Sequence, residues 1–139
     1  MGSVSSSDGK DLHGGVSPRQ TVLVVDEDFK DARQYCALLR TKGYEVQCRC
    51  SYAEGEACLK DQQVGFVIVN QGSRAFEGRR IVKHAVRKNA KAPVLVLTRD
   101  ADMSCYIEAM SLGASDYLQK PVSPEEILQQ VAKYTGDRT

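Results

Sequence analysis

Val22-Leu23-Val24-Val25, followed at once by Asp26 and Glu27, is the stretch that decides the fold. The run is short, apolar and rich in β-branched residues, which predicts a buried strand, and the texture then changes to a helical period carried by Phe29, Ala32, Cys36 and Leu39. The same alternation returns along the chain. Phe66-Val67-Ile68-Val69 and Val94-Leu95-Val96-Leu97 have no polar face, as expected of parallel strands covered by helices on both sides. Tyr44 to Cys50 instead alternates, with Tyr44, Val46, Cys48 and Cys50 on one face and Glu45, Gln47 and Arg49 on the other, which suits an edge strand. Ile81, Val82, Ala85 and Val86, and then Met103, Ile107 and Met110, supply further buried helix faces. Capping patterns mark the ends: Ser51 with Glu54, Ser123 with Glu126, Pro124 in a first turn, and Gly43 and Gly113 as stops. Five β-α units in series predict an α/β doubly wound fold, a five-stranded parallel sheet with helices on both faces. Functional groups should collect in the crevice at the strands' carboxyl ends.

The composition agrees with one such domain. The chain has 139 residues, of which 42% are hydrophobic, and its 19 basic and 18 acidic residues leave no global field to attract nucleic acid or a membrane surface. Residues 21 to 135 hold all the periodic segments. Residues 1 to 20, rich in Ser and Gly, read as a flexible tail, and 136 to 139 as a short C-terminal one. Met1-Gly2 with Ser6 formally fits an N-myristoylation pattern, which a cloning scar matches equally well. The five cysteines lack a C-x-x-C pair and no apolar leader is read before them, so reduced packing thiols in a cytoplasmic protein are expected.

Just past the central strands stand Asp26 and Glu27, then Asn70, Thr98 and Lys120. Carboxylates, a hydroxyl and an ammonium converging on one sheet edge suit a divalent cation and a phosphoryl group, whose negative oxygens the cation and the lysine would balance. Taken together, Leu23-Val24-Val25-Asp26-Glu27, Thr98 and Gly113-Ala114-Ser115-Asp116-Tyr117-Leu118-Gln119-Lys120-Pro121 resemble the receiver domain of two-component response regulators, over roughly residues 20 to 135. The resemblance implies a flavodoxin-like strand order 2-1-3-4-5. It also implies an acidic metal-binding start at Asp26 and Glu27, a switch hydroxyl at Thr98, a switch tyrosine at Tyr117, a phosphate-contacting lysine at Lys120 and a cis peptide before Pro121.

Receivers accept a phosphoryl group on an aspartate that ends the third strand, eight positions before a helix-opening glycine; here that spacing runs from Asn70 to Gly78. An amide is a far poorer nucleophile than a carboxylate and adds no charge to a metal site, so phosphorylation at this degenerate acceptor position is not expected. The surroundings depart too, with Gln71 and Arg74 in the following loop and Arg99 where a small residue usually follows Thr98. Arg99 partly fills the pocket entrance, or instead pairs its guanidinium with Asp26 or Glu27, or projects to solvent. Asp26 and Glu27, with a backbone carbonyl near Gly72, are expected to hold magnesium weakly or not at all, and no cofactor is required. Lys120 is expected to persist as the partner of the acidic pair.

One helix is markedly basic: Arg80, Lys83, Arg87 and Lys91 fall close to one face. No nucleic-acid reading element accompanies them, and a solvated face is the preferred reading. Tyr106 and Tyr134 are candidates for partial exposure. The preferred function is a receiver-like, phosphorylation-independent signalling module, a binding protein rather than an enzyme, whose partner is another protein of a phosphorelay pathway. A homodimer through the last two helices stays open. Two alternatives stand beside it: a conventional phosphorelay receiver with an engineered Asn70 or an acceptor such as Asp100 or Glu77, and a nucleic-acid contact through the basic helix.

Overall fold

A computed structural model describes residues 20–88 and 92–136; the expectations for the N-terminal segment before Gln20, for Lys91 and for residues 137–139 fall outside it. Strands β1 (Thr21–Val25), β2 (Glu45–Arg49), β3 (Phe66–Asn70), β4 (Val94–Thr98) and β5 (Asp116–Gln119) alternate with helices α1 (Phe29–Thr41), α2 (Tyr52–Asp61), α3 (Arg79–Lys88), α4 (Met103–Leu112) and α5 (Pro124–Thr135). The strands form one parallel sheet in the order β2-β1-β3-β4-β5. The doubly wound fold is as expected, with the Tyr44–Cys50 segment at one edge.

Alternation within the apolar strands distributes them between two cores. Leu23, Val25, Val67, Val69, Val94 and Val96 face Leu59 of α2, Ile81, Val82 and Ala85 of α3, and Cys105 and Ala109 of α4. Val22, Val24, Phe66, Ile68, Leu95 and Leu97 face Cys36 and Leu39 of α1 and Ile127 and Val131 of α5. Burial on both faces is why these strands carry no polar stripe. The capping residues act as read: Ser51 Oγ accepts from Glu54 N, Ser123 Oγ accepts from Glu126 N, and Pro124 begins α5. Gly113 closes α4 at a φ of 110°, a conformation that favours glycine.

The α1 face is buried as expected at Ala32, Cys36 and Leu39 but not at Phe29, and the expected α4 face is corrected. Phe29, the first residue of α1, is 60% exposed, and Arg33 covers its ring, 5.4 Å from the centroid. On α4, Met103 and Ile107 are 70% and 55% exposed and Met110 also faces out, while Cys105 and Ala109 are buried. The helix carries two apolar stripes, and the one with small residues allows the closer approach to the sheet.

Candidate functional site

Asp26, Asn70, Thr98 and Lys120 do come together at the carboxyl edge, since their strands are adjacent and parallel. The Lys120 side chain is only 1% exposed, and its Nζ donates to Asp26 Oδ2 and to Asp31 Oδ2, each at 2.8 Å. Asp31 lies in the first turn of α1, which Asp28 caps by accepting from Asp31 N at 3.2 Å. Arg99 completes the group: its guanidinium donates to Asp31 Oδ2 at 2.5 Å and stands 3.7 Å from Asp28 Oδ2. Arg99 is 58% exposed, as the solvent-facing expectation has it, yet it is also paired. It bonds an acid, but one on α1 rather than Asp26 or Glu27, because a side chain leaving the end of β4 reaches across to the α1 N-terminus. Lys120 likewise pairs with Asp26 and Asp31, not with Glu27.

The electrostatics follow from who shares which cation. Burial raises the pKa of Asp26, against the hydrogen bond from Lys120 and the one from Asp28 N at 2.9 Å. Burial also pushes Asp31 up, but the hydrogen bond and charge of Lys120, joined by those of Arg99, outweigh it and hold Asp31 below the ordinary value. The Asp31 charge in turn raises the Arg99 pKa. Two carboxylates thus balance two cations without any contribution from position 70.

Glu27 is exposed and turned to Tyr52, whose Oη lies 3.2 Å from Glu27 Oε1 and 3.0 Å from the Asn70 carbonyl oxygen. Burial, then the Glu27 charge, raises the Tyr52 pKa, so the hydroxyl keeps its proton and shares it between two acceptors. Gly72 follows at a φ of 87°, where a Cβ would run into Glu77 Oε1 and stand 3.0 Å from Tyr52 Oη. Gly78 abuts the strand end: a Cβ there would lie 2.5 Å from the Asn70 carbonyl oxygen. The fixed spacing from Asn70 to Gly78 therefore has a steric cause.

Magnesium prefers near-octahedral oxygen ligation. Here Asp26 is bonded to Lys120 and to Asp28 N, Glu27 is engaged by Tyr52, and Asn70 is neutral, so the donor set fits the ion poorly. Among the described residues no three His, Cys, Asp or Glu side chains are grouped to hold a metal.

Thr98 is buried, and its Oγ1 accepts from Asp100 N at 2.9 Å. Tyr117 Oη donates to Gln71 Oε1 and accepts from Asp102 N at 3.3 Å; burial raises its pKa. The Lys120–Pro121 peptide is cis. Arg74 points away from the acidic pocket, with Nε 3.1 Å from Asp100 Oδ1, because its loop runs beside the β4–α4 connection. Asp31 and Tyr52 are the residues that sequence reasoning missed. An acid three positions after a capping Asp28 reads as a helix-start signal, which hides its second role.

The basic face of α3 is partly committed. Of its members Arg80 is paired, with Nη2 3.0 Å from Glu56 Oε2, while the neighbouring Arg79, off that face, forms a bidentate pair with Glu108 at 2.5 and 2.9 Å. Glu56, Arg80, Lys83, His84 and Arg87 line a cleft of about 450 Å³.

A parallel 2-1-3-4-5 sheet with acids, a hydroxyl and a lysine at its carboxyl edge defines a receiver-type signalling domain. The chain belongs to the response regulator receiver domain family, whose model matches residues 22–132, and this places it in two-component signalling. It is 25% identical over 123 residues to the acid tolerance regulatory protein ActR of Rhizobium meliloti (strain 1021), covering 88% of this chain and 63% of the relative. It is 30% identical over 112 residues to the probable transcriptional regulator ycf27 of Porphyridium aerugineum, covering 78% of this chain and 45% of that protein. The chain thus spans only part of these relatives. Among solved structures, a CheY-like receiver domain protein from Methanospirillum hungatei JF-1 superposes with a TM-score of 0.78 at 22% identity, over 84% of this chain and 93% of that one. A Burkholderia pseudomallei response regulator with a phosphorylated aspartic acid and a calcium ion gives a TM-score of 0.74 at 24% identity, over 84% and 68%. No helix among the described residues is long and apolar enough to cross a membrane.

Proposed function

We propose that this chain is a pseudo-receiver: a receiver domain in which Asn70 stands at the acceptor position and which acts by binding another signalling protein, without phosphoryl transfer and without catalysis of its own. The observation that carries the reading is the closed charge network in which Lys120 and Arg99 are held by Asp26 and Asp31. An acceptor site needs an anionic nucleophile, a bound cation and a lysine able to meet the phosphoryl oxygens. Here position 70 is neutral and the lysine is already engaged from both sides. The partner-binding face that fits best is the outer side of α4, where Met103, Tyr106 and Ile107 are exposed, and pairing of two copies through α4 and α5 belongs to the same reading. The nucleic-acid alternative has less support, since of its basic face Arg80 already pairs with Glu56 and no nucleic-acid reading element accompanies it.

The test is incubation with acetyl phosphate, or with beryllofluoride, in the presence of magnesium, followed by intact mass and amide chemical shifts. The expected result is no mass gain and no shift centred on Asn70 in the native sequence. A stable phosphoryl adduct, on Asp100, Glu77 or any other acid, would refute the reading.

A further inference from the structure

Gln71 is fully buried, at 0% exposure, directly after the last residue of β3. Enclosing a primary amide is costly unless both of its N–H groups and its oxygen are bonded, and here each has a partner. Nε2 donates to the Ser73 carbonyl and to the Asp100 carbonyl, both at 3.1 Å, and Oε1 accepts from Tyr117 Oη. The backbone fixes where that amide starts: Gln71 N donates to the Leu97 carbonyl at 2.7 Å, and its own carbonyl accepts from Gly78 N at 3.0 Å. One side chain thus ties together the β3–α3 loop, the β4–α4 loop and β5.

The tie continues into α4. Tyr117 Oη accepts from the backbone N–H of Asp102, and Asp102 caps the helix by accepting from Cys105 N at 3.1 Å. The Tyr117 ring meets Tyr106 of α4 edge to face, with centroids 5.5 Å apart and an interplanar angle of 75°. The start of α4 and its aromatic contact therefore meet at a tyrosine whose hydroxyl is bonded to the buried Gln71 amide.

We propose that Gln71 is a built-in clamp that fixes Tyr117, and through it the start of α4 and the exposed Met103–Ile107 face, in a single arrangement. The state of that face is set by the side chain at position 71 in place of a modification at position 70. This regulatory role rests on the phosphorylation-independent reading of the pocket and adds the device that makes such a module constitutive. A leucine at 71 would leave the Ser73 and Asp100 carbonyls and the Tyr117 hydroxyl without their shared partner, and Tyr117 would be free to turn outward.

Residue-resolved amide hydrogen exchange on the full chain tests the clamp, comparing the native sequence with Gln71→Leu, Tyr117→Phe and the double variant. Exchange at Asp102, Cys105 and Tyr106 should rise about tenfold in each single variant, while β1 and β3 keep their protection. The double variant should exchange no faster than Tyr117→Phe alone, because Gln71 acts on these amides through the tyrosine hydroxyl that Tyr117→Phe has already removed. Unchanged exchange at these amides in the single variants, or multiplicative acceleration in the double, would overturn the proposal. Should Gln71→Leu fail to fold, Gln71→Met, which also lacks the acceptor for Tyr117 Oη, takes its place, because Tyr117→Phe by itself also removes the acceptor of Asp102 N. Acetyl phosphate added to the same samples separates the two proposals. A native chain that stays unmodified while α4 ignores Gln71 sinks only the clamp, whereas a phosphoryl adduct sinks the pocket reading and the constitutive role built on it, even where exchange shows that Gln71 holds α4.

Discussion

Asp31 of α1 holds the Lys120 ammonium at 2.8 Å, as a second carboxylate opposite Asp26. With the neutral Asn70 at the end of β3, this contact brings negative charge to the lysine from a helix. Removing one partner from a buried ionic group leaves the other charge poorly solvated. Asp31→Asn should therefore cost about 2 kcal/mol, measured by urea unfolding near pH 7. Adding Asn70→Asp to that variant should return part of the loss. A double variant less stable than Asp31→Asn would show that position 70 does not share the charge balance.

The acid limb of the stability curve should carry the same signature. The Asp31 pKa is lowered in the folded state relative to 3.8, so its contribution is fully present above pH 3.8 and is lost as the pH falls through the folded value. Asp26, whose pKa is raised, acts in the opposite sense: the folded chain takes up its proton above pH 3.8, so that group favours folding as the pH drops from neutrality. Urea midpoints for the native chain and for Asp31→Asn should converge below pH 3.8. Curves that stay parallel through this range would contradict the assignment.

The rotation of α4 can be tested without any partner. Met103→Ala and Ile107→Ala should change stability by no more than about 0.5 kcal/mol, since both side chains are exposed. Ala109→Leu, on the buried stripe, should cost about 1–3 kcal/mol through overpacking. The reverse ranking in thermal or urea melts would restore the Met103, Ile107 and Met110 face to the core.

Gly78→Ala should destabilise by about 2 kcal/mol, because the added methyl would stand 2.5 Å from the Asn70 carbonyl oxygen and must displace backbone. Amide shifts should move first at Asn70 and Gln71. A neutral substitution with unchanged shifts would show that the strand end yields freely.

Much of the frame was legible because it is written locally. Strand runs, the alternating edge segment, the caps at Ser51 and Ser123 and the stop at Gly113 each depend on neighbours within a few positions. The convergence of Asp26, Asn70, Thr98 and Lys120 was also readable, since parallel strands bring their carboxyl ends to one edge. Asp31 and Tyr52 were not, because their roles begin only once the N-terminal turns of α1 and α2 hang over that edge.

The sequence by itself determined the order of the β-α units, the alternating strand that lies at a sheet edge, the neutral residue at the end of β3 and the supply of charges nearby. Only the tertiary structure decided the pairing: Arg99 chooses Asp31, Tyr52 takes Glu27, Gln71 holds Tyr117, and α4 turns its small residues inward. The reason is physical. Periodicity records which residues share a face of one element, whereas a salt bridge or a buried amide bond depends on the distance and rotation between elements. Two apolar stripes on one helix, or two acids within reach of one lysine, are settled only when everything packs at once.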